Sequence, residues 1–303
     1  MTKILITGAN GQIGQILTKE LSTTNIVYPT DINTSNQCRF LDILDKDKLF
    51  KFIEENNITQ IYHLAAILSA KGEQSPILTW QINMNGLINI LEAGRIYKLN
   101  KIFFPSTIAV FGLNVNQELT PNFAALHPST VYGISKASGE NWCQYYYDKY
   151  NLDVRSIRYP GVIGWQTLPG GGTTDYAIDI FHQLIKNKIY TCFLDKDIKL
   201  PMLYMDDAIR ATLELMHTAK ENIKIRTSYN IAGCSFTPSE LFEKIKYYLG
   251  NDLSINYNAD FRNEIAKTWP YVIDDNEARK DWQWQPAFDL DNIVQDMLKH
   301  LKT

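Results

Sequence analysis

Tyr132 and Lys136 stand four residues apart in Ser129-Thr130-Val131-Tyr132-Gly133-Ile134-Ser135-Lys136. On a helix that spacing puts both side chains on one face, roughly 5–6 Å apart at Cβ. An ammonium beside a phenol favours the phenolate, so the tyrosine accepts a proton more readily than its free pKa of about 10 suggests. An alcohol needs such a group when it gives up its hydroxyl proton while its carbon loses a hydride. Thr107 ends the apolar run Lys101-Ile102-Phe103-Phe104-Pro105-Ser106-Thr107 and can hydrogen-bond the same oxygen. Taken alone, Tyr-x-x-x-Lys also occurs on solvated helix faces, and a Ser-Thr pair is a common strand end. The pattern gains meaning from the elements that must position it.

Pro128, with Ser129 or Thr130 as cap, starts a helix that carries the pair. Lys3–Thr7 reads as a buried parallel strand, followed at once by Gly8-Ala9-Asn10-Gly11-Gln12-Ile13-Gly14 and by Ile13, Ile16, Leu17 and Leu21 at helical spacing. In strand–turn–helix context, Gly8 permits the tight turn, Gly11 lets backbone approach a pyrophosphate, and Gly14 lets helix pack on strand. The phosphates would sit on the free N–H groups of the helix start. A purely structural turn is the alternative. Asn25–Thr30 reads as the second strand, ending in Asp31, whose carboxylate can accept from an adenosine ribose and would repel the extra phosphate of NADP. This favours NAD, unless Asp31 is only a turn residue. Phe40–Ile43 fits a third strand whose Asp42 addresses the adenine, and Gln60–Ala66 a fourth that closes on small residues. His63 is read there as packed or hydrogen-bonded. A helical pattern between Pro76 and Leu99 carries Asn83, which needs partners if buried and can brace nearby backbone. Strands alternating with helices predict an α/β, doubly wound parallel sheet, whose strand ends open onto a ligand crevice.

The 303 residues fit one large domain or two coupled ones. With 45% hydrophobic and 21% charged residues, the composition is that of a globular protein, and a net charge of −3 gives no electrostatic reason to expect nucleic acid or a membrane surface as partner. The four cysteines are scattered without metal-ligand spacing, which implies reduced thiols, and no metal is expected. Met1-Thr2-Lys3 runs directly into a strand, leaving no room for a targeting peptide, and no apolar run has the length of a membrane span. The expectation is a cytoplasmic enzyme.

Thr7-Gly8-x-x-Gly11-x-x-Gly14, His63-Leu64-Ala65-Ala66, Thr107 and Tyr132-x-x-x-Lys136 together resemble the extended short-chain dehydrogenases/reductases. Tyr204-Met205-Asp206-Asp207-Ala208 and Trp282-Gln283-Trp284-Gln285-Pro286 look like later segments of the same family. The resemblance implies a Rossmann domain for NAD over residues 1–160. A smaller carboxyl-terminal α/β substrate domain would occupy most of 161–303, with some segments returning to the first. It carries cofactor contacts to Gly8, Asn10, Gly11, Gln12, Ile13, Gly14, Asp31, Asp42, Ile43, Leu64, Ala65, Ala66, Asn83, Tyr132, Lys136 and Val162. The family includes sugar-nucleotide epimerases and dehydratases as well as alcohol dehydrogenases, and departures from its pattern narrow the reaction. Dehydratases have Asp-Glu after the strand-end threonine, where this chain has Ile108-Ala109. Epimerases commonly have an Asn after Tyr-Phe, and this chain reads Tyr159-Pro160-Gly161. A small substrate fits better.

Longer matches in order resemble, within that family, the group of short-chain L-threonine 3-dehydrogenases. They include Leu68-Ser69-Ala70-Lys71-Gly72-Glu73, Pro105–Gly112, Val154–Gly161, Gly172-Thr173-Thr174-Asp175-Tyr176-Ala177, Leu200–Met205 and Ser235-Phe236-Thr237-Pro238. Asp260-Phe261-Arg262 and Thr268-Trp269-Pro270 complete the series, and Gly164-Trp165 departs modestly from the usual Ser-Trp or Ser-Tyr. The resemblance implies NAD-dependent oxidation of the C3 hydroxyl of L-threonine to 2-amino-3-oxobutyrate, with Tyr132 as base. Lys136 would hold the nicotinamide ribose, and Thr107 the reacting oxygen. Ser69, Thr173 and Thr174 would meet the amino and carboxylate ends. Pro169-Gly170-Gly171-Gly172-Thr173-Thr174-Asp175 then reads as a mobile lid, its alternative being an ordinary helix-entry loop. Trp269 is either a pocket wall or a core aromatic. A homodimer joined through helices near 76–99 and 129–150 is also implied. The rival readings are a nucleotide-sugar epimerase and a nicotinamide-sensing regulator without catalysis.

Overall fold

The strand Lys3–Thr7 (β1) sends its side chains into two separate cores. Ile4 and Ile6 pack with Leu17, Ala208 and Trp282, while Leu5 meets Leu49, Leu87, Ile90 and Leu91 on the other side. A strand covered on both faces reads as a continuous apolar run, which is why the segment shows no alternation. The computed structural model describes every residue except 36, 167, 171 and 303. Gly171, part of the expected lid, therefore lies outside the described residues.

The strands that follow are β2 (Ile26–Asp31), β3 (Arg39–Phe40), β4 (Gln60–His63), β5 (Lys101–Thr107), β6 (Val154–Tyr159), β7 (Gly161–Ile163), β8 (Ile189–Cys192), β9 (Leu200–Tyr204), β10 (Tyr229–Asn230), β11 (Cys234–Phe236) and β12 (Ser254–Tyr257). Among the described residues the main sheet runs β10-β6-β5-β4-β1-β2-β3, all parallel. Helices Gln12–Leu21, Met205–His217 and Asn276–Trp282 cover one face, and Lys46–Asn56, Gly86–Ile96 and Val131–Tyr150 the other. Strand order reverses beside β1, so the chain leaves β1 and β4 on opposite courses and opens a crevice at their carboxyl ends. The Rossmann arrangement expected from the sequence is thus present.

A second layer continues from β7, which pairs with β9, itself paired with β11; β8 and β12 form a separate parallel pair. Helices Tyr176–Asn187, Pro238–Leu249 and Leu290–Leu301 close over a third core that includes Phe181, Leu184, Ile245 and Met297. Among the described residues no helix is long and apolar enough to cross a membrane.

Local differences from the sequence reading have physical causes. The third strand ends at Phe40, because Asp42 turns the chain by accepting from the Leu44 amide at 2.9 Å. The fourth ends at His63, where its pairing with β1 stops at Thr7, so Leu64–Ala66 leave the sheet for the crevice. The expected helix from Pro76 is interrupted by a π-helical turn, Gln81–Asn85, between Pro76–Trp80 and Gly86–Ile96.

Candidate active site

One cleft of about 720 Å³ lies at the carboxyl ends of the central strands. At its β1 end, Gly8 has φ +70°, and a Cβ there would come within 2.5 Å of the Ala65 nitrogen; one on Gly14 would meet the Gly8 carbonyl at the same distance. Gly11 gives the helix that starts at Gln12 no side-chain cap, and the helix start lines the cleft, where free first-turn N–H groups suit an anion. Gly11, Gln12 and Ile13 line the cleft there, with Asp31, Asp42 and Ile43 beyond them and Leu64, Ala65 and Ala66 opposite. Asp31 accepts from the amides of Asn10 at 3.1 Å and Asn33 at 3.0 Å, which fixes its carboxylate and leaves acceptor capacity. The cradle, the free helix terminus and the acidic side chain fit a dinucleotide.

Two residues expected to touch the cofactor are not on the cleft wall. Asn10 faces away, its amide bonded to the Asn33 carbonyl and to the Cys38 thiol. Asn83, in the π turn, donates to the Ile67 carbonyl at 3.0 Å and to Ser135 at 3.1 Å, and accepts from the Ile67 amide at 2.8 Å. It is the backbone brace that a buried amide requires. His63 is buried against Thr7 at 2.8 Å, and burial holds its imidazole neutral, down to about 3.

Thr130 caps the helix Val131–Tyr150 by accepting from Gly133 at 3.1 Å, which aims Tyr132 into the cleft. Tyr132 shares a hydrogen bond with Thr107, and burial nevertheless pushes its phenol up to about 12. Lys136 does not bond the phenol. Its Nζ lies 5.8 Å from the Tyr132 ring centre, 4.6 Å from that of Phe104, and donates to the Pro105 carbonyl at 2.8 Å. Burial pulls this lysine down to about 7. In this cleft, then, desolvation rather than the lysine sets the phenol, the reverse of the simple expectation.

Ser69, Thr173, Thr174 and Val162 line the same cleft, as does Trp269. Thr173 is 1% exposed and its hydroxyl has no partner among the described residues, an orphan polar group on the cleft wall. Asp175 organises the loop, accepting from the amides of Gly170 at 2.6 Å and Gly172 at 2.8 Å.

Residues 4–232 match the NAD dependent epimerase/dehydratase family. This chain belongs to that family, the extended short-chain dehydrogenases/reductases. It is 41% identical to the mitochondrial L-threonine 3-dehydrogenase of Bos taurus over 98% of this chain and 82% of the relative. Among solved structures it resembles a partial consensus L-threonine 3-dehydrogenase, with TM-score 0.97 and 47% identity over 99% of both chains. The holo form of the GalE-like L-threonine dehydrogenase from Cupriavidus necator matches with TM-score 0.96 and 46% identity over 99% of both.

Two positions that the sequence reading set against a dehydratase and an epimerase lie at this cleft. After Thr107 come the buried Ile108 and Ala109, with no acid–base pair. At Gly161, an added Cβ would lie 2.7 Å from the Thr174 Cγ2 and 2.5 Å from the Met202 sulfur, so Thr174 already fills the space of a side chain. Sequence reasoning missed Ile32, Leu41 and Leu44 as apolar walls beside Asp42. The apolar residues set beside Asp31 and Asp42 in the chain were the available signal. It also missed Ser106, whose partner is distant in sequence.

Proposed function

We propose that this chain is an NAD-dependent L-threonine 3-dehydrogenase, oxidising the C3 hydroxyl to give 2-amino-3-oxobutyrate. The observation that carries the reading is Thr107, Tyr132 and Lys136 on one cleft whose wall also holds the orphan Thr173 hydroxyl, in a chain so similar to enzymes of that name. Gly8, Gly11, Gln12, Ile13 and Gly14 hold the pyrophosphate and Asp31 the adenosine ribose, with Asp42, Ile43 and Leu64–Ala66 around the base and linker. Lys136 and Val162 lie toward the nicotinamide end. When bound, the dinucleotide supplies the hydride acceptor.

Thr107 fixes the substrate oxygen, Tyr132 takes the hydroxyl proton, and the C3 hydrogen departs with its electron pair, leaving a ketone. Ser69, Thr173 and Thr174 meet the amino and carboxylate groups. The apolar walls exclude water, which makes each of these polar contacts count for more. The loop through Asp175 closes over the bound amino acid as a lid.

This assignment divides the chain into a cofactor-binding unit over 1–160 and a mainly substrate-binding unit over 161–303. Met205–His217, Tyr229–Asn230 and Asn276–Trp282, which pack on the main sheet, support the return of later segments to the first unit. Four free thiols accord with a reducing, cytoplasmic setting. Exposed Ile77, Leu78, Trp80 and Ile96 on one helical stretch, and Ile134, Trp142, Tyr145 and Tyr150 on the next, support a homodimer through these faces.

Purified protein mixed with NAD and L-threonine should generate NADH absorbance, with NADP and a UDP-sugar as parallel trials. Epimerisation of the sugar without threonine turnover would overturn the substrate and favour the epimerase reading.

A further inference from the structure

Three consecutive residues at the end of β5 are tied to three successive turns of the helix Val131–Tyr150. Thr107 shares the Tyr132 hydroxyl, the Pro105 carbonyl accepts from Lys136, and Ser106 donates to Glu140 Oε1 at 2.5 Å. Tyr132, Lys136 and Glu140 recur every fourth residue, so they share one helix face. Glu140 is 1% exposed and lies outside the cleft wall, so it does not meet substrate. Arg158, on β6, grips both its oxygens, with Nε at 2.8 Å and Nη2 at 2.7 Å. The remaining guanidinium nitrogen donates to the Asn122 carbonyl at 2.7 Å and to Asn230 Oδ1 at 3.1 Å. Asn230 in turn donates to the carbonyls of Thr120 and Asp274, both at 3.2 Å.

A buried carboxylate is costly unless paired and hydrogen-bonded, and here every contact serves to hold it in place behind the reactive pair. The titratable groups facing Lys136 are Tyr132, Glu140 and Cys143 on its own helix and His63 on β4. Burial keeps the Cys143 thiol protonated, far above its ordinary range, and His63 is neutral. Glu140 is thus the anionic neighbour that opposes the burial of Lys136 at neutral pH.

We infer that Glu140, clamped by Arg158, is a positioning residue that fixes the helix face of Tyr132 and Lys136 against the end of β5 and sets a carboxylate one turn from the buried lysine. The kinetic part of this inference rests on the dehydrogenase reading; the titration of the lysine does not.

The test is an NMR titration of the full chain labelled at lysine Cε, with the Lys136 signal identified by its loss in Lys136→Met. In Glu140→Gln, whose amide oxygen still accepts from Ser106, the Lys136 midpoint should fall by about one pH unit. Turnover of L-threonine should drop most on the alkaline side, with KM near the wild-type value. Glu140→Gln strands the Arg158 charge, so Glu140→Gln/Arg158→Gln serves as the second variant, and its midpoint should stay low. Glu140→Asp, which keeps the charge, should restore the midpoint. An unchanged midpoint in a folded Gln variant, or a loss of turnover equal at every pH, would overturn the inference. If wild-type protein leaves threonine untouched, the substrate reading fails while the titration still decides the role of Glu140.

Discussion

A phenol held up to about 12 is almost wholly protonated at neutral pH, and Tyr132 works as a base only in its deprotonated form. Below that pKa the phenolate fraction grows about tenfold per pH unit, while Lys136 loses its charge above about 7, so threonine oxidation should climb from pH 5 toward pH 7 and level off beyond it. A pH–rate profile that is flat or falling over the climbing range would contradict Tyr132 as base. Tyr132→Phe should keep its melting temperature and its NAD affinity and lose about 10²–10⁴ in kcat, which steady-state kinetics and a binding titration would separate. The Tyr132–Lys136 face was legible in the sequence because it follows from local spacing. The electrostatics were not: desolvation depends on the whole wall of the cleft, and Lys136 spends its hydrogen bond on the Pro105 carbonyl.

Among elements, the π turn Gln81–Asn85 has no sequence signature, because it is set by what Asn83 reaches: both polar groups of the Ile67 backbone. Asn83→Ala leaves those groups unpaired and should cost about 1–3 kcal/mol in urea unfolding, with a higher KM for NAD as the segment after β4 loosens. Unchanged stability would show that Ile67 finds other partners. Opposite, Thr174 occupies the space over Gly161. Gly161→Asn should expel that threonine and lower kcat/KM for L-threonine while circular dichroism stays native; full activity would show that the Thr174 position does not matter. The β1–turn–helix unit was readable from local periodicity, and Gly8 from its turn. The short third strand was overestimated, since a side-chain turn at Asp42 stops it.

At the scale of the whole molecule, contacts distant in sequence organise the fold around the cleft. Ser106 and Glu140 are separated by 34 residues, Glu140 and Arg158 by 18, and neither link has a local pattern that a sequence reading could detect. Arg158→Met strands the buried Glu140 charge and should destabilise the protein by about 3–5 kcal/mol in chemical denaturation, a loss much larger than any surface ion pair would give. The exposed apolar residues on the stretches 76–96 and 134–150 predict a dimer in sedimentation velocity; a monomer that retains full activity would remove that face from the account. The most direct test of the central claim follows the hydrogen itself. L-Threonine deuterated at C3 is incubated with the protein and NAD, and the nicotinamide product is analysed by mass spectrometry. The account predicts NADH carrying the deuterium; unlabelled NADH, or none, would contradict it.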